Sequence, residues 1–194
     1  MAYFFSEHPY VVYDVLGTSQ PRLAVDITRR FRLEKITKNN KLVYYDYDIK
    51  DRDRPDIMAD KYYGNSSLDW LFFITNEIFD PYFQWPLNYK QFTDYVRQKY
   101  GSVSNAQAQT HHYEQILQLR TEIVDQFDDT FINIPERIIQ VDYTTYSTLA
   151  PSYRRQITTF DFEESENNRK RRIKILDAAF VPDILQQLDG IFQV

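Results

Sequence analysis

Cysteine is absent from this 194-residue chain. That excludes disulfides, a thiol nucleophile, a cysteine-zinc knuckle and an iron–sulfur cluster, and it fits a protein made and kept in a reducing compartment. Glycine occurs only 4 times. Neither GxGxxG nor GxxxxGK is present, so the common glycine-rich phosphate cradles are excluded. No GxSxG elbow is found, and no serine is set up as a nucleophile. Histidine occurs 3 times, as His8, His111 and His112. Neighbours in an extended stretch project to opposite faces, so His111 and His112 are not expected to share a metal, and no further histidine completes a site. All three read as surface or loop histidines. No apolar run approaches the roughly 20 residues of a membrane-spanning helix. The opening, Met1 to Pro9, lacks the basic region and apolar stretch of a secretory signal.

What the chain does hold is aromatic. Its 16 Tyr, 14 Phe and 2 Trp amount to 16% of the residues, and half of these rings fall between Leu42 and Tyr100. That density means one aromatic-packed core or a large partner surface. At 26% charged and 43% hydrophobic residues, the composition is that of a folded globular protein. The formal charge of -5 resides entirely in the segment 103–150, because the flanking parts each balance their acids and bases. With a pI near 5.2 and no large basic face, nucleic acid is not indicated as a partner.

The pattern predicts an α+β protein. Residues 1–20, with Pro9 and Gly17 among Val11, Val12, Val15 and Leu16, read as a loose arm or a short helix, and Ala24–Leu33 as a strand or extended arm. Leu42–Ile49 alternates with period two and predicts a strand. Pro55 suits the first position of a helix that Gly64 ends. Ser66 or Ser67 is expected to cap the next helix, which runs to about Asn76 and is apolar nearly all round, so it must be buried on most sides. Asp80, Pro81 and Pro86 punctuate a loop holding Tyr82, Phe83 and Trp85. Asn88 and Gln91 resemble a capping box for a helix whose face carries Tyr89, Phe92, Val96 and Tyr100. The stretch 102–110 is small, polar and without period, and predicts a linker or surface loop. Over His111–Asp129 the pattern is ambiguous: Ile116, Leu119, Ile123 and Phe127 fit a helix, while Gln107–Ile116 also fits a strand. Phe131–Pro135 and Ile138–Tyr143 read as short strands, and Tyr143–Leu149 as one or two helical turns. Asp161 with Glu164 suggests the start of a helix whose early acids and later bases, Arg169 to Lys174, complement its dipole. Pro182 breaks it, and Asp183–Phe192 forms another. These segments suggest four parts: an N-terminal arm (1–41), an aromatic-rich core (42–101), an acidic insertion of strand and loop (102–160) and a C-terminal helical segment (161–194).

Candidate chemistry is sparse. Asp46 and Asp48 share a strand face, with Asp51 and Asp53 following, but the glycine and final glutamate of a calcium loop are missing. They read as a solvated face and turn. The basic run at 169–174 is interleaved with Ile173, Ile175 and Leu176, which favours an amphipathic helix over a phosphate grip. No catalytic residue, metal or cofactor is indicated. The rigid loop DPYFQWP at 80–86 is the most unusual local feature. Its three rings suit either a binding hot spot or a fold-back onto the preceding helix.

Two resemblances follow from these residues. The strand at 42–49, the segment RPDIMADKYYG and then SSLDWLFFITNEIFDP resemble a LysM-type module of strand–helix–helix–strand. Ile57, Ala59 and Tyr63-Gly64 approximate its first helix, and Trp70, Asn76, Ile78, Asp80 and Pro81 its second. The usual second strand does not follow Pro81, and Phe131–Pro135 is a candidate for it after an insertion. More widely, the opening at 4–15, DITRRFRL at 26–33, the block at 44–89 and DFEESENNRKRRIKIL at 161–176 resemble the baseplate wedge subunits of T4-type contractile-tailed phages, the gene fifty-three product family. That resemblance implies a structural protein made in the host cytoplasm and carried in the virion tail baseplate. It implies several copies in a symmetric assembly, joining neighbouring wedges through the wedge scaffold and sheath-initiating proteins, with no membrane or nucleic acid contact. Tyr82, Phe83 and Trp85, with Phe4, Phe5, Tyr10, Arg30 and Phe31 of the arm, are the candidate interface residues. Peptidoglycan binding by a LysM-type module is the alternative.

Overall fold

The strand expected at 42–49 forms, but its partner comes from the far end of the chain. The computed structural model describes residues 8–14, 17, 20–28, 43–124 and 131–192, and of the candidate interface residues Phe4, Phe5, Arg30 and Phe31 lie outside them. The chain makes two compact units, Met1–Asn88 with Asn168–Val194, and Tyr89–Asn167. The four sequence segments follow composition, whereas the units follow contacts. Helices and strands are mixed in an α+β protein.

In the first unit, β1 (Tyr10–Tyr13) pairs antiparallel with β2 (Arg22–Val25). The strand β3 (Tyr44–Asp48) follows. Helix α1 (Pro55–Tyr63) carries Pro55 in its first turn and ends at Gly64, whose φ of 67° is the left-handed conformation glycine tolerates. Asn65, one residue ahead of the expected serine, caps the 3₁₀ turn Ser66–Leu68 by accepting a hydrogen bond from Ser67 N. Helix α2 (Trp70–Thr75) then buries Trp70, Leu71 and Phe72, as its all-round apolar sequence requires. A single turn, α3 (Pro81–Gln84), stands where a loop was expected.

The second unit opens with α4 (Tyr89–Tyr100), which buries Phe92 and Val96 and leaves Tyr89 exposed. The polar stretch after Gly101, expected as a linker, is a helix, α5 (Val103–Ala108). Ser102 caps it through a 3.0 Å bond to Asn105 N, and Ala106 is its one buried side chain. A helix needing only one small apolar contact leaves no apolar period to read. The ambiguous stretch is β4 (Thr110–Gln118) followed by β5 (Thr121–Val124). β5 pairs with β6 (Phe131–Ile134), and β7 (Arg137–Val141) lies on β4. After α6 (Tyr143–Thr148), β8 (Arg154–Thr158) takes the other edge of β4, giving the order β7-β4-β8. Helix α7 (Thr159–Arg169) starts earlier than expected. Thr158 and Asp161 form a reciprocal box, Asp161 N donating to Thr158 Oγ1 and Thr158 N to Asp161 Oδ2, both at 3.1 Å.

The chain then returns to the first unit. The basic run is not the continuation of a helix: α7 ends at Arg169, and β9 (Arg172–Leu176) pairs antiparallel with β3, Asp48 facing Arg172 and Tyr44 facing Leu176. Among the described residues, Phe131–Ile134 of the suggested second strand Phe131–Pro135 pairs with β5 in the second unit. Period two was present in RIKIL, with Ile173 and Ile175 buried and Arg172 and Lys174 exposed. The flanking charges masked it. Pro182 sits near the start of α8 (Val181–Phe192) rather than breaking a helix. The core gathers Val43, Ile49, Met58, Leu71, Phe72, Ile175, Leu176 and Ile184.

A glutamate organises one side of the second unit. Burial pushes the Glu163 carboxyl up, but hydrogen bonds from Lys99, Tyr100 and Tyr95 outweigh it and hold Glu163 below its ordinary 4.5. The three donors lie at 2.5, 2.7 and 3.1 Å.

Two outcomes are expected. Ile175→Ala should cost about 2–5 kcal/mol, because a fully buried aliphatic group leaves a cavity. Both tryptophans lie in the first unit, so their emission during urea unfolding reads that loss directly. A depressed carboxyl contributes stability that is present above about pH 4.5 and is lost as pH falls through the folded value. Amides of residues 89–167 should therefore lose protection below that pH in hydrogen exchange corrected for the intrinsic rate. Glu163→Gln should flatten this acid dependence and destabilise the unit near neutrality by about 1.5–3 kcal/mol.

Candidate functional site

The aromatic turn is built by a chain of local constraints. Asp80 caps α3 by accepting from Tyr82 N at 3.0 Å. Gln84 folds its side-chain oxygen back onto Phe79 N at 2.7 Å and Asp80 N at 2.9 Å. Pro81 restricts the first helical position. The basic run then fastens the turn from outside. Lys170 Nζ donates to the Phe83 carbonyl at 2.7 Å. Arg171 donates to the Leu87 carbonyl at 3.0 Å, the Ile49 carbonyl at 3.1 Å and Asp51 at 2.8 Å. Asn76 joins the end of α2 to β9 as a strand would. Its amide donates to the Lys174 carbonyl at 2.8 Å and accepts from Lys174 N at 2.7 Å.

This frame sends the three rings of the loop to different places. Trp85 packs against the core, edge-on to Phe73 with centroids 5.9 Å apart. Tyr82 is 89% exposed and Phe83 76%. Phe79, which was not singled out from the sequence, joins them at 65%. Its signal was its position directly before the Asp-Pro cap. Tyr10 is exposed with Val11, Val12, Tyr13 and Leu23 on the β1–β2 ribbon. A two-stranded ribbon this apolar is marginal in water on its own.

The acidic candidates take structural parts. Asp46 pairs with Arg172 at 3.1 Å, and Asp53 accepts from the Tyr47 hydroxyl at 2.7 Å and Lys50 N at 2.8 Å. The hydrogen bond to Asp53, with burial, raises the Tyr47 hydroxyl above its ordinary 10.0. His111 is exposed as expected, but the other two histidine expectations are not met. His8 is buried, at 3% exposure. His111 and His112 do meet, Nδ1 to Nδ1 at 2.8 Å, because a register shift between Thr110 and His112 against β8 makes His111 an extra residue in the strand. His111 also stacks on Phe162 at 3.9 Å. Among the described residues, no group of three or more histidine, aspartate or glutamate side chains is placed to hold a metal ion, and no helix is long and apolar enough to cross a membrane.

A clamped turn that displays rings has the build of a contact surface. A family model described as base plate wedge protein 53 matches residues 4–189. The chain belongs to this family, whose members are structural proteins of the bacteriophage tail baseplate. It is also similar to the baseplate wedge protein gp53 of Enterobacteria phage T4, 24% identical over 147 residues, which are 76% of this chain and 72% of that protein.

Substitution separates the two environments of the turn. Trp85→Ala should lower the stability of the first unit by about 2–3 kcal/mol, less than a fully buried ring would cost. Tyr82→Ala and Phe83→Ala should each stay within about 0.5 kcal/mol of the parent, as exposed positions do. Urea midpoints compared across the three variants check this.

Proposed function

We propose that this protein joins neighbouring baseplate wedges through protein–protein contacts, with several copies in a symmetric assembly and wedge scaffold and sheath-initiating proteins as partners. The observation that carries the reading is the pair of exposed rings, Tyr82 and Phe83, on a turn already fastened by Lys170 and Gln84. A ring fixed before binding loses little entropy on docking, which is what an interface anchor requires. The β1–β2 ribbon with Tyr10 is the second proposed contact, since an apolar ribbon gains stability when a partner covers it. Phe4, Phe5, Arg30 and Phe31 are proposed to extend that contact. Trp85 serves it indirectly by holding the turn on the core. The role is non-catalytic and needs no cofactor.

The core of the first unit is proposed to be LysM-like, with the second unit inserted between its second helix and its second strand. The order β3, α1, α2, β9 and the antiparallel pairing of its two strands support that. The same order favours one alternative, binding of peptidoglycan by that core.

The test mixes the chain with the other wedge proteins encoded beside it and images the products by electron microscopy. Wedges should join into rings only when the chain is present. The double variant Tyr82→Ala, Phe83→Ala should weaken joining by more than about 2 kcal/mol, as loss of an anchor pair does. Wedges that join equally well without the chain would overturn the proposal. Co-sedimentation with insoluble peptidoglycan, unaffected by that double variant, would favour the glycan reading instead.

A further inference from the structure

Beside the aromatic turn lies a small open cleft of about 300 Å³, at the lower end of the volumes that hold a ligand group. Ile78, Gln84, Arg169, Lys170 and Arg172 line it, with Glu77 as the one acidic group of the lining. The lining thus holds three cations and one carboxylate, with Asp46 paired to Arg172 beside it, in a protein whose net charge is -5. Lys170 is anchored on the Phe83 carbonyl. Arg172 stays largely exposed beyond its pair with Asp46, at 71% for its side chain. The exposed rings Phe79, Tyr82 and Phe83 belong to the same turn that supplies Ile78 and Gln84.

We propose that this cleft takes an extended acidic segment of another baseplate protein, its carboxylates on Arg169, Lys170 and Arg172 and its apolar residues against the exposed rings. The inference deepens the proposed wedge-joining role and rests on it for the identity of the partner. Charge complementarity decides the chemistry. The basic lining attracts anions, and guanidinium groups bind carboxylates in forked pairs. The small volume admits individual side chains rather than a helix. Glu77 in the lining and Asp46 beside Arg172 leave the cleft only modestly positive, which suits carboxylates spaced by apolar residues better than a polyphosphate backbone charged at every unit.

The test uses the full chain and three labelled probes of equal length in fluorescence anisotropy: a peptide alternating aspartate with leucine, the same peptide with asparagine for aspartate, and oligothymidine. The aspartate peptide should bind at least about tenfold tighter than the asparagine peptide, the weight of one charge-assisted hydrogen bond. That preference should shrink as salt is raised and vanish in the double variant Arg169→Glu, Arg172→Glu. Tryptophan emission confirms that this variant is folded. Phe79→Ala should weaken the peptide without changing its salt dependence. Equal binding of the aspartate and asparagine peptides overturns the proposal, as does tighter binding of oligothymidine. If the chain joins wedges and the double arginine variant joins them equally well, the cleft assignment fails while the wedge-joining role stands. If the chain joins no wedges, that role fails, and the anisotropy result alone decides the cleft.

Discussion

Pairing of Tyr44–Asp48 with Arg172–Leu176 is the constraint on which the first unit depends. It closes a core whose two sides are separated in sequence by the entire second unit. The pairing continues past the strands, with Ile49 N donating to the Arg171 carbonyl and Asp177 N to the Val43 carbonyl, both at 2.8 Å. Ile173 and Ile175 enter the core only in this register, since a slip of one residue would turn Arg172 and Lys174 inward. Closing so long a loop is affordable because its entropy grows only with the logarithm of length, about 0.6 kcal/mol per doubling. The intervening residues also fold on their own hydrogen bonds.

The same pairing positions the aromatic turn. Once β9 is placed, Lys170 and Arg171 stand at its entrance and reach the carbonyls of Phe83 and Leu87. Asn76 then ties the end of α2 to Lys174. The aromatic turn is therefore fastened at several points by charged and amide groups, leaving Phe79, Tyr82 and Phe83 to face solvent. Lys170, which holds the turn, also lines the cleft beside it with Arg169 and Arg172, so rigidity and charge come from one short stretch.

Several features were legible along the chain because they rest on neighbours within a few residues. Pro55 and Gly64 delimit a helix by their own backbone preferences. The alternation over 42–49 marks a strand, and the apolar run Trp70–Ile74 must be buried wherever it goes. Other features were hidden for identifiable reasons. The helix at 103–108 buries one alanine, too little for a period. The histidine pair meets through a bulge, which no local pattern announces. The acids before Arg169 and the bases after it favoured one long helix. Capping by Thr158 and Asp161 started that helix earlier, and the demand of β3 for a partner ended it at Arg169.

By itself the amino-acid sequence determined the mixed α+β class of this protein and the nature of several of its local elements. Its 16% aromatic residues call for dense ring packing, and the runs that carry them had to be buried somewhere. Backbone preferences and apolar periods act over a turn or a strand, so composition and spacing record them. Only the tertiary structure decided that β9 pairs with β3, that Trp85 packs against the core while Tyr82 and Phe83 face solvent, and that the basic run serves as a clamp. Those outcomes depend on which backbone groups and side chains meet across long stretches of chain, and no local pattern carries that information.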